Sequence, residues 1–92
     1  MVRDLVERRL AACGTVIDGV TSIYRWEGEV EEAGEVQVIL KTRRECWAEL
    51  RRVVVDLHPY DVPELVALPI ELGLQAYLQW VETETTANGA GG

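Results

Sequence analysis

The residues best suited to chemistry in this 92-residue chain stand together at positions 58–64, where the sequence reads His-Pro-Tyr-Asp-Val-Pro-Glu. This segment holds the chain's one histidine and two of its three prolines. Pro59 and Pro63 fix their own φ angles and disfavour helix in the residues before them, so an extended, stiff backbone is expected. Such a backbone can hold His58, Tyr60 and Glu64 at set distances, as a small binding site requires. The alternative is a rigid link between a helix and a strand.

Each of the three side chains also has a structural interpretation. His58 can be a metal ligand or a general base, or it can cap the end of the preceding helix. Glu64 can be a partner carboxylate or a solvated residue at the start of a strand. Tyr60 can line a cleft or belong to the core with its hydroxyl satisfied.

Two strand residues are further candidates for a ligand cleft. Lys41 follows Val-Ile-Leu, so its ammonium can bind an anion between subunits, or its stem can lie along apolar surface at a sheet edge. Trp26 shares a strand face with Tyr24, since side chains alternate along a strand. Packing is expected there more than ligand stacking.

Composition excludes several classes of function. The net charge is −7 and no basic stripe is present, which argues against nucleic acid and anionic membrane as partners. No apolar run reaches the ~20 residues of a membrane span, so a cytoplasmic location is expected. Cys13, at a predicted helix end, and Cys46 are expected to stay reduced. Hydrophobic residues make up 48% of this small chain, which favours a homo-oligomer.

Hydrophobic periodicity predicts one α+β domain over residues 1–82, followed by a disordered tail over 83–92. The predicted elements are a helix from 2 to about 14, a strand over 15–27 with a bend or bulge at Asp18-Gly19, a polar hairpin tip over 28–34, a strand over 35–43, a helix over 45–57, a buried strand over 64–69 and a short helix over 75–82. This order is the ferredoxin-like βαββαβ pattern without its first strand.

Several strings, in this order, resemble the divalent-cation tolerance (CutA) family. They are Leu-Ala-Ala-Cys at 10–13, Gly-Val-Thr-Ser-Ile-Tyr-Arg-Trp-Glu-Gly at 19–28, Ile-Leu-Lys-Thr at 39–42, the 58–64 segment with Leu-Pro at 68–69, and Tyr-Leu-Gln-Trp at 77–80. The resemblance implies a homotrimer of ferredoxin-like subunits with PII-like architecture, in which edge strands of neighbouring subunits pair. It also implies a role in tolerance of copper and other divalent metals.

The sequence departs from the family pattern in two places. The family's usual first strand is absent, so a truncated start is expected. In the best-known bacterial case, copper is bound by a cysteine in that strand and two adjacent histidines, with a glutamate nearby. Here Leu57 occupies the first histidine position, and His58 and Glu64 match. The resemblance therefore implies that Cu²⁺ or another divalent metal binds weakly and is not required for folding.

The sequence predicts a binding protein and not an enzyme, because no nucleophile elbow, phosphate loop or HExxH motif is present. We expect a divalent metal or small ligand to bind in clefts between subunits, in a metal response or PII-like signalling role. His58 and Glu64 would hold the metal, and Tyr60, Lys41 and Trp26 would line the cleft. One alternative is a trimeric scaffold that presents an acidic hairpin to a protein partner, and another is a weak enzyme with His58 as general base.

Overall fold

A computed structural model describes residues 1–58 and 62–87 of the chain. The described elements are helix α1 (Val2–Glu7), strand β1 (Cys13–Trp26), strand β2 (Glu29–Lys41), a 3₁₀ turn (Arg44–Cys46), helix α2 (Trp47–Leu57) and helix α3 (Gln75–Thr83). No helix in these ranges is long and apolar enough to cross a membrane.

The two strands form one long antiparallel hairpin, in which Trp26 pairs with Glu29 and Cys13 pairs with Lys41. The chain reverses at Glu27 and Gly28, whose φ angles are 50° and 84°. Positive φ at both central residues is the geometry of the two-residue turns that match the right-handed twist of a hairpin. The hairpin itself was predicted correctly. The polar tip predicted over 28–34 was wrong, because Glu29 to Gly34 continue β2.

The bulge predicted at Asp18-Gly19 is confirmed. These two residues of β1 stand opposite Val36 alone, because Ile17 pairs with Gln37 and Val20 pairs with Glu35. Gly19 has a φ of 73°, which glycine adopts without the steric cost of a Cβ. The extra residue shifts the alternation of β1 by one position. Odd-numbered residues before the bulge and even-numbered residues after it therefore point to the same face of the hairpin.

Helix α1 is shorter than predicted. It ends at Glu7, and Arg9 has a φ of 61°, which turns the chain towards β1. The backbone amides of Leu10 and Ala11 both donate to the carbonyl of Leu5, at 3.0 and 3.3 Å. Leu10 and Ala11 are therefore buried by a compact helix end and not by further helical turns.

The core lies where α1, the segment after it and α2 pack against the open end of the hairpin. Its buried members are Leu5, Leu10, Ala11, Leu50, Val53 and Val54, with Leu40 and Leu65 packed against them. Helix α2 contributes three of these side chains because its apolar residues recur at helical spacing. The outer part of the hairpin extends away from this core, and Ile23 and Val30 there are largely exposed.

The buried strand predicted over 64–69 is not present. Residues 63–71 have no regular secondary structure, and Val66 and Leu68 are 73% and 85% exposed. Leu65 does pack on the core. The segment therefore contributes an apolar contact to the core, but among the described residues no strand pairs with it.

The chain after α3 packs on the rest of the molecule as far as Thr86. Thr85 is 3% exposed, and its hydroxyl donates to the carbonyl of Val81 at 2.9 Å. The amide of Thr86 donates to the carbonyl of Arg9 at 2.8 Å. Glu84, Thr85 and Thr86 of the predicted tail thus make hydrogen bonds to the rest of the molecule, and residues 88–92 lie outside the described part.

Candidate functional site

His58 is placed by the end of α2. The helix ends at Leu57, and the His58 amide donates to the carbonyl of Val54 at 2.8 Å while its own backbone turns to φ −77° and ψ 137°. The extended conformation is the one favoured in a residue that precedes proline. His58 is half-buried and Glu64 is exposed. Tyr60, the third candidate of the segment, lies outside the described residues.

The charged face of α2 carries an exposed network of ion pairs. Arg52 pairs with Glu49 and with Asp56 along the exposed side of the helix. The hydrogen bond and the charge of Glu49 raise the pKa of Arg52 above its usual range, with a smaller effect of Asp56. The guanidinium therefore stays protonated, and these three residues form a solvent-exposed ion-pair network along the helix.

Lys41 is the last residue of β2. Its Nζ donates to Thr15 Oγ1 at 3.0 Å and lies 3.9 Å from Cys13 Sγ. All three side chains are on one face of the hairpin, opposite to Leu40, which packs on the core. The ammonium group of Lys41 therefore lies over the neighbouring strand β1, where it contacts Thr15 and Cys13.

Trp26 is far from Lys41 within one chain. It pairs with Glu29 beside the turn, twelve residues along β2 from Lys41, and a strand advances by roughly 3.4 Å per residue. The two side chains are therefore about 40 Å apart along the hairpin. Trp26 is 57% exposed and Tyr24 is 40% exposed on the same face, as alternation predicted. A single chain does not bring Trp26 into a site with Lys41.

Exposed apolar residues follow the 58–64 segment. Every second side chain from Val66 to Leu74 is apolar and more than half exposed, and the members of this row are Val66, Leu68, Ile70, Leu72 and Leu74. Soluble monomers rarely leave so continuous an apolar row in water. Together with the exposed apolar residues of the hairpin, this row is a surface on which a further chain can pack.

A shallow depression of about 290 Å³ lies between the end of α1 and α3. Arg9 and Glu84 border it and form an ion pair at 3.4 Å, with Trp80 beside them. Sequence reasoning did not select these residues, because their proximity depends on the left-handed turn at Arg9 and on the packing of the segment after α3. No group of three His, Cys, Asp or Glu side chains suited to a metal occurs within residues 1–58 and 62–87.

Comparison with known proteins gives a consistent family match. Residues 1–84 match the family described as CutA1 divalent ion tolerance protein. The chain is 48% identical over 85 residues to the divalent-cation tolerance protein CutA of Thermus thermophilus, covering 92% of this chain and 82% of that relative. It is 44% identical to protein CutA of Mus musculus, covering 96% of this chain and 51% of the mouse protein. The chain therefore spans most of the bacterial relative and about half of the mammalian one.

Solved structures of such proteins have the same fold. The Thermus thermophilus divalent cation tolerance protein superposes with a TM-score of 0.90 at 48% identity, over 92% of this chain and 82% of that one. The Archaeoglobus fulgidus CutA, described as periplasmic, gives a TM-score of 0.85 at 40% identity, over 89% of this chain and 79% of that one. The fold is thus the α+β, ferredoxin-like fold of these structures, as the sequence predicted. The cytoplasmic location stays a prediction, since a relative carries a different compartment in its description.

Proposed function

Because the chain belongs to the CutA1 divalent ion tolerance protein family, whose members are tolerance proteins and not enzymes, we propose that it binds a divalent metal ion such as Cu²⁺, or a small ligand, in clefts between the subunits of a homotrimer. The role is a response to metal ions or PII-like signalling, in the cytoplasm. The prediction that the chain is not an enzyme is confirmed by the family match.

The observation that carries the proposal is the position of His58 and Glu64. The imidazole is held half-buried at the end of a helix that is itself anchored in the core, and the carboxylate follows six residues later on an exposed segment. Imidazole and carboxylate are both common ligands of Cu²⁺. Two ligands from one chain are fewer than a tight site needs, so the site is weak in one subunit and is completed by a neighbour.

The exposed apolar surfaces support the assembly. The hairpin is a two-stranded ribbon within the described residues, and Val16, Val38 and Ile39 on it are 41–54% exposed. A two-stranded hairpin is marginal alone and is stabilised when further strands or a second layer cover it. Pairing with neighbouring copies would cover both the hairpin and the row from Val66 to Leu74. It would also bring Trp26 of one copy towards Lys41 of another, which one chain cannot do.

The metal site is tested with Glu64→Gln, because Cu²⁺ binds almost any exposed imidazole and loss of His58 alone is not diagnostic. We expect weaker Cu²⁺ binding in Glu64→Gln and in His58→Ala, measured by titration against a competing chelator. Glu71→Gln is the matched control, since Glu71 is an exposed carboxylate of the same segment. Equal Cu²⁺ affinity in Glu64→Gln and in Glu71→Gln would refute the assignment of Glu64.

The trimer is tested separately by light scattering on the native particle. A mass near three times that of the chain is expected, and a folded monomer would contradict the proposed clefts. A second candidate function is a scaffold that presents the acidic hairpin end to a protein partner, since Glu29, Glu31 and Glu32 are all exposed there. Capture of a partner that is lost when these three become Gln, with Cu²⁺ binding unchanged, would favour the scaffold.

A further inference from the structure

Cys13 and Lys41 face each other across the open end of the hairpin. They are a directly opposed pair in the strand register, and the Lys41 Nζ lies 3.9 Å from the Cys13 Sγ. Thr15, the next residue on the same face of β1, accepts a hydrogen bond from Nζ at 3.0 Å. The strand pairing fixes both Cα positions, and the bond to Thr15 holds the amine on the side of the thiol. A nucleophilic nitrogen and an oxidisable sulfur are thus kept in contact.

The second cysteine provides an internal contrast. Cys46 is 0% exposed, and its Sγ donates to the carbonyl of Thr86 at 3.5 Å. Cys13 was predicted to lie at a helix end, but it is the first residue of β1 and is half-buried. An oxidant in water reaches a thiol in proportion to its exposure. Cys13 is therefore the more accessible of the two thiols, and it is the one with an amine beside it.

We propose that Cys13 and Lys41 form a peroxide-sensitive pair that closes into a covalent sulfur–nitrogen link across the hairpin. Hydrogen peroxide oxidises the Cys13 thiol to a sulfenic acid and is itself reduced to water. The neutral Lys41 amine, its proton having passed to solvent, attacks the sulfenic sulfur through its lone pair. The S–O bond breaks, and the hydroxyl leaves as a second water with the proton that nitrogen loses. The product is a sulfenamide with two hydrogens fewer than the reduced chain, and a thiol reductant restores both side chains.

The link changes both the hairpin and its charge. It joins residues 28 positions apart and fixes the end of the hairpin that adjoins the core. It also removes the positive charge of Lys41. If the proposed ligand cleft includes Lys41, oxidation therefore lowers the affinity of that cleft for an anionic ligand, and this consequence rests on the proposed function. The formation of the link does not depend on it.

The test is intact-mass spectrometry of the purified chain after treatment with hydrogen peroxide, with a chelator present to exclude copper-catalysed oxidation. We expect a species that has lost two hydrogens, with trypsin no longer cutting after Lys41 and with recovery on addition of dithiothreitol. Cys13→Ser and Lys41→Arg should abolish this species, since a guanidinium can keep the bond to Thr15 but is not a nucleophile. Cys46→Ser is the matched control and should still form it.

Several outcomes would overturn the inference. They are a Cys13 sulfinic or sulfonic acid with Lys41 still cut by trypsin, a disulfide between chains through Cys13, an oxygen-retaining bridge, and a link that survives in Lys41→Arg. Failure of the proposed metal site is a separate result, because Glu64→Gln and His58→Ala should both form the link as readily as the unsubstituted chain.

Discussion

Replacing Thr85 by valine removes a hydroxyl that connects three parts of the chain. This hydroxyl accepts a hydrogen bond from Arg43 Nε at 2.8 Å and donates to the carbonyl of Val81 at 2.9 Å. Arg43 Nη2 also donates to the Thr85 carbonyl at 2.8 Å, and the next amide, of Thr86, donates to Arg9. The segment after α3 is thereby joined to the β2–α2 connection and to the end of α1.

The magnitude follows from the two shorter bonds of the hydroxyl, those with Arg43 and Val81, since the contact with the Glu82 carbonyl at 3.3 Å shares the same proton. A hydrogen bond to a charged donor contributes about 1.5–3 kcal/mol, and a neutral one contributes about 1 kcal/mol. Valine has nearly the same shape as threonine, so no cavity is expected to form. The Arg43 side chain is 24% exposed and can recover part of its hydration, which reduces the loss. We expect Thr85→Val to lower the free energy of unfolding by roughly 2 kcal/mol.

The assay is denaturant unfolding followed by circular dichroism, with all variants at one protein concentration because assembly shifts apparent stability. Amide hydrogen exchange should also accelerate in the last turn of α3, because the Thr85 hydroxyl bonds to the carbonyl of Val81 there. Thr83→Val is the matched control, since Thr83 is exposed in the last turn of the same helix, and a change within about 0.5 kcal/mol is expected there. If Thr85→Val is as stable as Thr83→Val, the connection through Thr85 does not stabilise the fold and the reasoning is refuted.

Two further predictions concern the turn and the core. Gly28→Ala should destabilise the chain by about 1 kcal/mol, because φ is 84° there and alanine is strained in that region. Gly34→Ala, at a strand glycine with open space for a Cβ, should be neutral or stabilising in the same denaturant unfolding assay. Equal losses in the two variants would contradict the turn geometry. Leu50→Ala should lower the free energy of unfolding by about 2–5 kcal/mol, since Leu50 is 2% exposed in the core. The control is Val55→Ala, on the exposed side of α2, and an equal loss in the two variants would show that the core is assigned wrongly.

The elements that the sequence predicted well are those whose pattern is set within the element. Helices α2 and α3 begin and end within two residues of the predicted bounds, because their apolar residues recur at helical spacing and the chain packs that side inward. The bulge at Asp18-Gly19 was predictable because glycine in a strand pattern marks a position where the backbone departs from regular pairing. The aromatic face of β1 followed from simple alternation.

The elements that were predicted wrongly depend on what lies next to them in space. The glutamates after Gly28 looked like a loop, but a ribbon exposed on both faces tolerates charges, and Glu27-Gly28 supplies the turn by itself. The end of α1 depends on the left-handed conformation of Arg9, which periodicity does not reveal. Residues 64–69 have the composition of a buried strand, but a strand forms only where another strand pairs with it.

The candidate site also has one part that the sequence predicts and one part that it does not. Its local part, the placement of His58 after the last turn of α2, follows from the sequence, because a helix ends readily before a residue that precedes proline. Its distant part does not. Lys41 acquires Cys13 and Thr15 as neighbours through strand register, and Thr85 acquires Arg43 through the return of the chain after α3.

The length of the hairpin couples the proposed binding function to the proposed assembly. Trp26 and Lys41 are separated by about 40 Å within one chain, since their register positions are twelve residues apart along β2. A cleft that contains both must therefore draw them from different copies, and its affinity must depend on protein concentration wherever the copies dissociate. A metal site made by His58 and Glu64 of one chain has no such dependence. We therefore propose to measure the Cu²⁺ affinity across the range of protein concentration in which the particle dissociates. An affinity that falls on dissociation supports the intersubunit cleft. A constant affinity assigns the metal to a site within the single chain.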